Sequence, residues 1–101
     1  MKNTLELAVN PVVLDTLGES FSVRSRILAV IWQGTTTAGD TAELWSVEDE
    51  DYPEALIWAG QAADTNTYQG VNLGPVGIKA PGGFYAKVLD AGRLIIYLRE
   101  Q

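Results

Sequence analysis

The chain contains no cysteine and no histidine among its 101 residues. Without cysteine it can form no disulfide and offers no thiolate nucleophile, and without histidine it lacks the commonest general base and metal ligand of proteins. Nucleophilic systems of the Ser-His or Cys-His kind are therefore excluded. We predict a protein that is not an enzyme and that uses no cofactor and no metal ion.

Basic residues and long apolar runs are also scarce. Seven Lys and Arg residues face thirteen Asp and Glu residues, for a net charge of −6, and the basic residues form no cluster. Binding to a phosphate backbone needs such a cluster, so nucleic acid is not an expected partner. The longest apolar run, residues 27–32, is far shorter than the ~20 residues of a membrane-spanning helix. The short run argues against a membrane location. Residues 1–13 carry Glu6 and Asn10 where a signal peptide would need an unbroken apolar stretch, so no signal peptide is expected.

Apolar and polar residues alternate along most of the chain, which is the period of side chains on a β-strand. The alternation is clearest in residues 4–9, 41–45, 84–89 and 93–99. In residues 84–89 it predicts that Val88 points to the core and Leu89 away from it. Residues 23–32 are longer and apolar on both faces after Ile27, which predicts a central strand.

Turn-forming residues separate these segments at intervals of about 8 to 12 residues. They lie at residues 34–40, 53, 60, 74–75, 81–83 and 91–92, and the glycines between residues 70 and 77 are also interpreted as turns. We expect residues 90–92 to close a tight hairpin between the last two strands. The predicted fold is all-β, a small antiparallel β-sandwich or jelly-roll-like barrel of about 7–9 short strands.

The N-terminal region differs from the rest of the chain. One candidate strand with Leu5, Leu7 and Val9 on one face is followed by a long polar connection before the main β pattern begins. We divide the chain into an N-terminal strand or arm, residues 1–22, and a β-sandwich domain, residues 23–101. The candidate strand is either the first strand of the sandwich or an arm donated to a neighbouring subunit.

Residues 48–54 place five carboxylates within seven positions. Calcium loops space their ligands with alternation and a glycine for the sharp turn, and this run has neither feature. We interpret it as a solvated acidic loop. A metal site and a glycosidase-type carboxylate pair are the alternatives, and the second would need a cleft that so small a sandwich hardly provides.

Three tryptophans and a set of tyrosines are the other candidate functional residues. Trp32 and Trp58 end apolar segments and are predicted to lie in the core. Trp45 alternates with Leu44 and is predicted to lie on the polar face beside Glu43. There it can form a subunit interface, a partly covered surface ring, or a platform for a sugar. Ile95 and Tyr97 fall on a nominally outer face and are candidates for contact with a neighbour.

Several short motifs carry a resemblance to a known type of protein. They are a Gly-Asp pair entering a strand at residues 39–45, an Ala-Pro-Gly-Gly-aromatic turn at residues 80–84, and a final glycine followed by an alternating strand ending in Tyr-Leu at residues 92–98. Together with Ile-Trp-Gln-Gly at residues 31–34, they resemble small β proteins encoded among the structural genes of tailed bacteriophages. The resemblance spans about residues 23–99.

The resemblance implies a virion protein, and among such proteins a head decoration (cement) protein that sits on the capsid as a trimer and bridges neighbouring capsomers. Its partners would be the major capsid protein or other virion proteins, and it would be made in the host cytoplasm and located on the capsid surface. The alternative is a tail or fibre module that binds a host surface glycan or another virion protein. The residues predicted to form interfaces are Leu5, Leu7, Val9, Trp45, Ile95 and Tyr97.

Overall fold

The computed structural model describes residues 10–99, which form nine β-strands and no helix. The strands are β1 (Val12–Leu14), β2 (Ser20–Phe21), β3 (Ser25–Thr35), β4 (Thr41–Ser46), β5 (Ala55–Gln61), β6 (Asn66–Asn72), β7 (Ile78–Ala80), β8 (Phe84–Leu89) and β9 (Arg93–Leu98). Two antiparallel sheets pack together as a small β-sandwich, so the predicted fold class is confirmed. Within residues 10–99 no helix is available to cross a membrane.

Sheet I has the strand order β1-β9-β3-β6, and β7 also pairs with β3. The long strand β3 pairs with β9 on one side, while β6 and β7 pair with successive parts of β3. This position in the middle of the sheet confirms the predicted central strand. Only one face of β3 lies in the core, and Ile31 on its other face is half-buried.

Sheet II has the strand order β2-β8-β4-β5. Strand β4 is paired on both sides, whereas β5 is the edge strand at one end and the two-residue β2 is the edge strand at the other. The two edge strands of sheet II therefore differ greatly in length.

The core lies between the sheets and consists of the inward residues of both. Its largest fully buried side chains are Trp32, Phe84, Leu14, Ile27, Leu44, Leu94, Ile96 and Val30. Trp32 of sheet I meets Trp58 of sheet II edge to face, with ring centroids 6.1 Å apart. Trp32 is fully buried, as predicted, and Trp58 is partly buried against the core. Edge-to-face contact is a favourable geometry for aromatic pairs, so the two tryptophans link the sheets.

The predicted hairpin at residues 90–92 is wrong. Strand β8 belongs to sheet II and β9 to sheet I, so these residues carry the chain across from one sheet to the other. Asp90 is held on sheet II, where its Oδ2 accepts a hydrogen bond of 2.8 Å from the backbone amide of Thr41. The sequence signals of a turn were correct, but the partners of the two strands are set by the packing of the whole sandwich.

A β-bulge overturns the predicted alternation in β8. Glu43 pairs with Val88, but the next residue of β4, Leu44, pairs with Ala86, so Lys87 is an extra residue in β8. Leu89 is therefore buried and Val88 only partly buried, the reverse of the prediction. A bulge adds one residue to one strand and so exchanges the faces of all residues beyond it.

Three glycines interpreted as turns lie inside strands instead, and the first of them is Gly34 near the end of β3. Gly60 is in β5, and Gly70 is in β6 opposite Ile31. A Cβ atom added at Gly70 would collide with the backbone carbonyl of Val30. Glycine at this position thus permits close approach of two strands rather than a reversal of the chain.

Residues 10–22 are the described part of the N-terminal segment. Strand β1 pairs with β9 in sheet I, and β2 pairs with β8 in sheet II, so this part of the segment contributes to both sheets. The Asn10 side chain donates to the carbonyl of Leu98 and accepts from its amide, each at 3.0 Å. The candidate strand with Leu5, Leu7 and Val9 lies outside the described residues.

Candidate functional site: the outer faces of the two sheets

The outer face of sheet I presents a row of apolar side chains to solvent. Val13 of β1 pairs with Ile95 of β9, and Ile95 pairs with Ile31 of β3. The register places the three residues side by side on neighbouring strands, and Val13 is 45% exposed. An apolar row that crosses three strands is a surface on which another protein can pack.

Tyrosines flank the apolar row on both sides. Tyr97 of β9 pairs with Ala29 of β3 on one side, and Tyr68 of β6 pairs with Gln33 of β3 on the other. Tyr97 is 41% exposed and Tyr68 is 75% exposed. Exposed tyrosines are enriched at protein interfaces because they combine a large apolar ring with a hydrogen-bonding hydroxyl.

Sheet I carries no acidic residue in any of its strands, although the whole chain has a net charge of −6. Its charged strand residues are Arg26, Lys79 and Arg93. Among the described residues only one acidic residue, Glu43 of β4, lies in a strand, and all the others lie in the connections between strands. Sheet I thus combines apolar surface with positive charge, and this combination favours a partner whose surface is apolar and negatively charged.

The outer face of sheet II carries Trp45 in a polar cluster. The Trp45 indole Nε1 donates a hydrogen bond of 2.8 Å to Glu43 Oε1, which confirms the predicted position of Trp45 beside Glu43. The Lys87 Nζ lies 4.1 Å from the centroid of the Trp45 ring, a cation–π distance. Contacts with its own sheet thus occupy both the indole N–H and part of the ring of Trp45.

Glu54 joins this cluster from the end of the acidic loop. Its Oε1 lies 2.9 Å from Lys87 Nζ and accepts a hydrogen bond from the hydroxyl of Tyr85. The hydrogen bond from Tyr85 lowers the pKa of the Glu54 carboxyl, and the hydrogen bond and charge of Lys87 lower it further. The hydrogen bond to Glu54 raises the pKa of Tyr85 and that of Lys87. This network ties the loop before β5 to strand β8.

The other acidic loop residues remain at the surface. Residues 48–51 are exposed, and the backbone amide and carbonyl of Asp49 form hydrogen bonds with those of Tyr52, which close a tight turn. The residues that the structure describes contain no group of three or more carboxylates placed to share a metal ion. The five carboxylates that are adjacent in sequence are thus divided, since Glu54 alone is bound to sheet II.

The residues predicted from the sequence to form interfaces do not share one surface. Ile95 and Tyr97 lie together on the outer face of sheet I, whereas Trp45 lies on the outer face of sheet II. Leu5, Leu7 and Val9 lie outside the described residues. Trp45 therefore cannot belong to the same contact surface as Ile95 and Tyr97, because the two sheets direct their outer faces in opposite directions.

Sequence reasoning missed two sets of surface residues. The first is Val13 and Ile31, which complete the row with Ile95, and only the strand register identifies them as neighbours. The second is the Glu54 network with Tyr85 and Lys87. Tyr85 and Lys87 are two residues apart in a predicted strand, a spacing that puts two side chains on one face, but nothing in the sequence indicates that Glu54 reaches them.

Comparison with known proteins adds no relative. No protein-family model matches the chain, and no curated protein or solved structure is significantly similar to it.

Proposed function

We propose that this protein is a non-enzymatic structural subunit of a tailed-bacteriophage virion, a head decoration protein that binds the capsid surface. The outer face of sheet I would form the contact with the major capsid protein or another virion protein. The observation that carries this proposal is the outward-facing row of exposed Val13 and half-buried Ile95 and Ile31 on a sheet whose strands have no acidic residue.

The physical properties of this face suit attachment to a large assembly. Its apolar row and flanking tyrosines provide a dry centre, and Arg93 at the periphery provides charge complementarity to an acidic partner. A capsid presents many equivalent positions, so each contact can be modest while bridging of capsomers makes detachment rare. The acidic remainder of the molecule keeps the protein soluble and away from packaged DNA.

The assignment to a phage is supported by the sequence motifs of residues 23–99, and the absence of catalytic residue types supports a structural role. Neither cysteine nor histidine is present anywhere in the chain. The resemblance implies three copies in a decoration unit.

The glycan-binding alternative depends on Trp45, and the surroundings of this side chain favour a structural role. A sugar stacking on the ring would compete with Lys87, and the indole N–H already has Glu43 as its acceptor. An isolated aromatic platform for sugars would instead leave the ring face and its edge free. These contacts support the capsid-binding proposal over the glycan module.

Cosedimentation with phage heads tests the proposal. Purified protein is mixed with heads that lack the decoration subunit, and the bound fraction is measured. The Tyr97→Asp and Val13→Asp variants place a carboxylate within the proposed contact, where an unpaired charge is desolvated on binding. We expect saturable binding of the wild type and a loss of at least about tenfold in affinity for both variants.

A matched control uses an exposed apolar residue away from this face. Leu17 is 63% exposed in the connection between β1 and β2, so Leu17→Asp makes the same chemical change elsewhere. We expect this variant to bind heads like the wild type. Failure of the wild type to bind heads, or equal binding by the Tyr97 and Val13 variants, would refute the proposed contact.

A further inference from the structure

Strand β5 is a long edge strand without the features that usually protect sheet edges. It runs for seven residues at the end of sheet II, contains no charged residue and no proline, and exposes 51% of Leu56. Natural edge strands are commonly short, charged, interrupted by proline or covered, because an open edge can pair with another chain. Within the described residues of β5, the only protective feature is a β-bulge, where the register with β4 shifts between Leu56 and Trp58.

The other edges of the sandwich differ from β5. The outer strands β1 and β2 have three and two residues, and β7 has three residues and includes Lys79. Strand β6 also has seven residues, but its side chains are mostly polar. Strand β5 is thus the more apolar of the two long, uncharged edges of the described sandwich.

The hydrogen bonds around β4 show which backbone groups of β5 point outwards. The carbonyl of Thr41 accepts from the amide of Asp90 on the β8 side, so its partner in β5, Gln61, has its backbone groups directed away from β4. In an antiparallel ladder every second residue directs its backbone amide and carbonyl to the same side, so those of Ala59 also point away from β4. The carbonyl of Gln61 accepts a hydrogen bond of 2.8 Å from the Gln69 side chain. None of the described residues forms a hydrogen bond with the outward groups of Ala59.

The charge distribution indicates what can pair with this edge. Two copies of a chain with a net charge of −6 repel each other, so an uncharged edge is where they can approach at the lowest electrostatic cost. Strand β5 is uncharged along its whole length, and the side chain at its outward position 59 is only a methyl group. An identical β5 can approach it in the antiparallel direction without like-charge contact, and each strand supplies both donors and acceptors.

We propose that β5 pairs antiparallel with β5 of a second copy, which joins the two four-stranded sheets II into one continuous sheet. The contact is two-fold symmetric and therefore closes at two copies, in contrast to the trimer that the phage resemblance implies. It leaves the outer face of sheet I free in both copies. Self-association and capsid binding are consequently separate properties that can fail independently.

Replacement of Ala59 provides the test, with two variants of the same residue. Ala59→Pro removes the outward amide and is tolerated where an edge amide faces away from its own sheet. Ala59→Ser is the matched control, since it changes the exposed side chain but retains the amide. The mass in solution is measured by sedimentation equilibrium from about 1 µM to about 1 mM, a range in which weak edge-to-edge contacts are populated.

We expect the wild type and the Ala59→Ser variant to approach twice the chain mass of 10.9 kDa at high concentration. The Ala59→Pro variant is expected to remain at the mass of one chain, with an unchanged far-UV circular dichroism spectrum. Amide hydrogen exchange of the wild type gives a second measurement that needs no variant. Protection of the Ala59 amide should increase with protein concentration, since pairing buries that N–H.

Three results would overturn the proposal. They are a wild type that keeps the mass of one chain at the highest concentration, a wild type with the mass of three chains, and a folded Ala59→Pro variant that still doubles its mass. A fourth result, hydrogen exchange of the Ala59 amide that does not depend on protein concentration, would also overturn it. Because heads are absent from these measurements, none of these results bears on the proposed capsid contact.

Discussion

Replacement of Trp32 by alanine tests most directly how the core between the two sheets is packed. Trp32 is fully buried in the middle of β3, and its ring contacts that of Trp58 across the two sheets. The indole Nε1 donates a hydrogen bond of 2.9 Å to the carbonyl of Ala91, in the connection between β8 and β9. One side chain thus packs against sheet II and also holds the connection that crosses between the sheets.

The expected loss of stability follows from these contacts. Truncation of a buried tryptophan to alanine costs about 3–5 kcal/mol, which includes the cavity that remains. The carbonyl of Ala91 also loses its partner, a penalty of the same sign. Since domains of this size have unfolding free energies of about 5–15 kcal/mol, the variant should lose about a fifth or more of its stability. The corresponding decrease in Tm is about 12–40 °C.

Trp45→Ala is the matched control because it removes the same side chain from a surface position. It breaks the hydrogen bond to Glu43 and the cation–π contact with Lys87 but leaves no cavity in the core, so the loss of stability should be clearly smaller than for Trp32→Ala. Urea unfolding followed by far-UV circular dichroism measures both variants without relying on tryptophan fluorescence. A Trp32 variant within about 1 kcal/mol of the wild type, or equal losses for the two variants, would refute the proposed packing.

Two further predictions concern sheet II and the turn before β8. Glu54→Gln should lower the free energy of unfolding at neutral pH, because the hydrogen bond from Tyr85 lowers the pKa of Glu54 and so stabilises the folded protein. This stabilisation is present above the usual pKa range of a carboxyl group and is lost as the pH falls through the lowered pKa. Urea titrations of the wild type and the variant should therefore converge in acid. Gly83→Ala should lower the free energy of unfolding by at least about 2 kcal/mol, because φ at Gly83 is 89° and the added Cβ would collide with the Phe21 carbonyl. Gly39 has a similar φ but open space around it, so Gly39→Ala should lower stability less in the same assay. Convergence of the Glu54 curves at neutral rather than acidic pH, or equal costs for the two glycine variants, would contradict these arguments.

The candidate surface was only partly visible in the sequence. The outward positions of Ile95 and Tyr97 followed from the alternation in the last strand, because β9 contains no bulge between them. Val13 could not be added to them, since its neighbour in space lies 82 positions away along the chain and is found only from the strand register. The sequence could not show that Trp45 lies on a different face from Ile95 and Tyr97, because alternation distinguishes inner from outer faces but does not distinguish one sheet from the other.

Local patterns also failed where neighbouring strands decide the conformation. The bulge at Lys87 depends on how β8 fits beside β4, and the turn at residues 90–92 is the same locally whether it joins paired strands or crosses between sheets. The Glu54 network has a similar origin, because Glu54 is separated from Tyr85 by 31 positions and meets it only once β4 and β8 are paired.

The all-β class, the central strand, the burial of Trp32 and the lack of Cys and His chemistry could all be inferred from the order of the residues. These properties depend on residue type and on a period of two, which are local. Strand pairing, by contrast, sets which strands share a sheet, where the apolar row of Val13, Ile95 and Ile31 forms, and that β5 ends sheet II with an open edge. These properties arise from pairing between distant segments, and that pairing is selected by the packing of both sheets around one core.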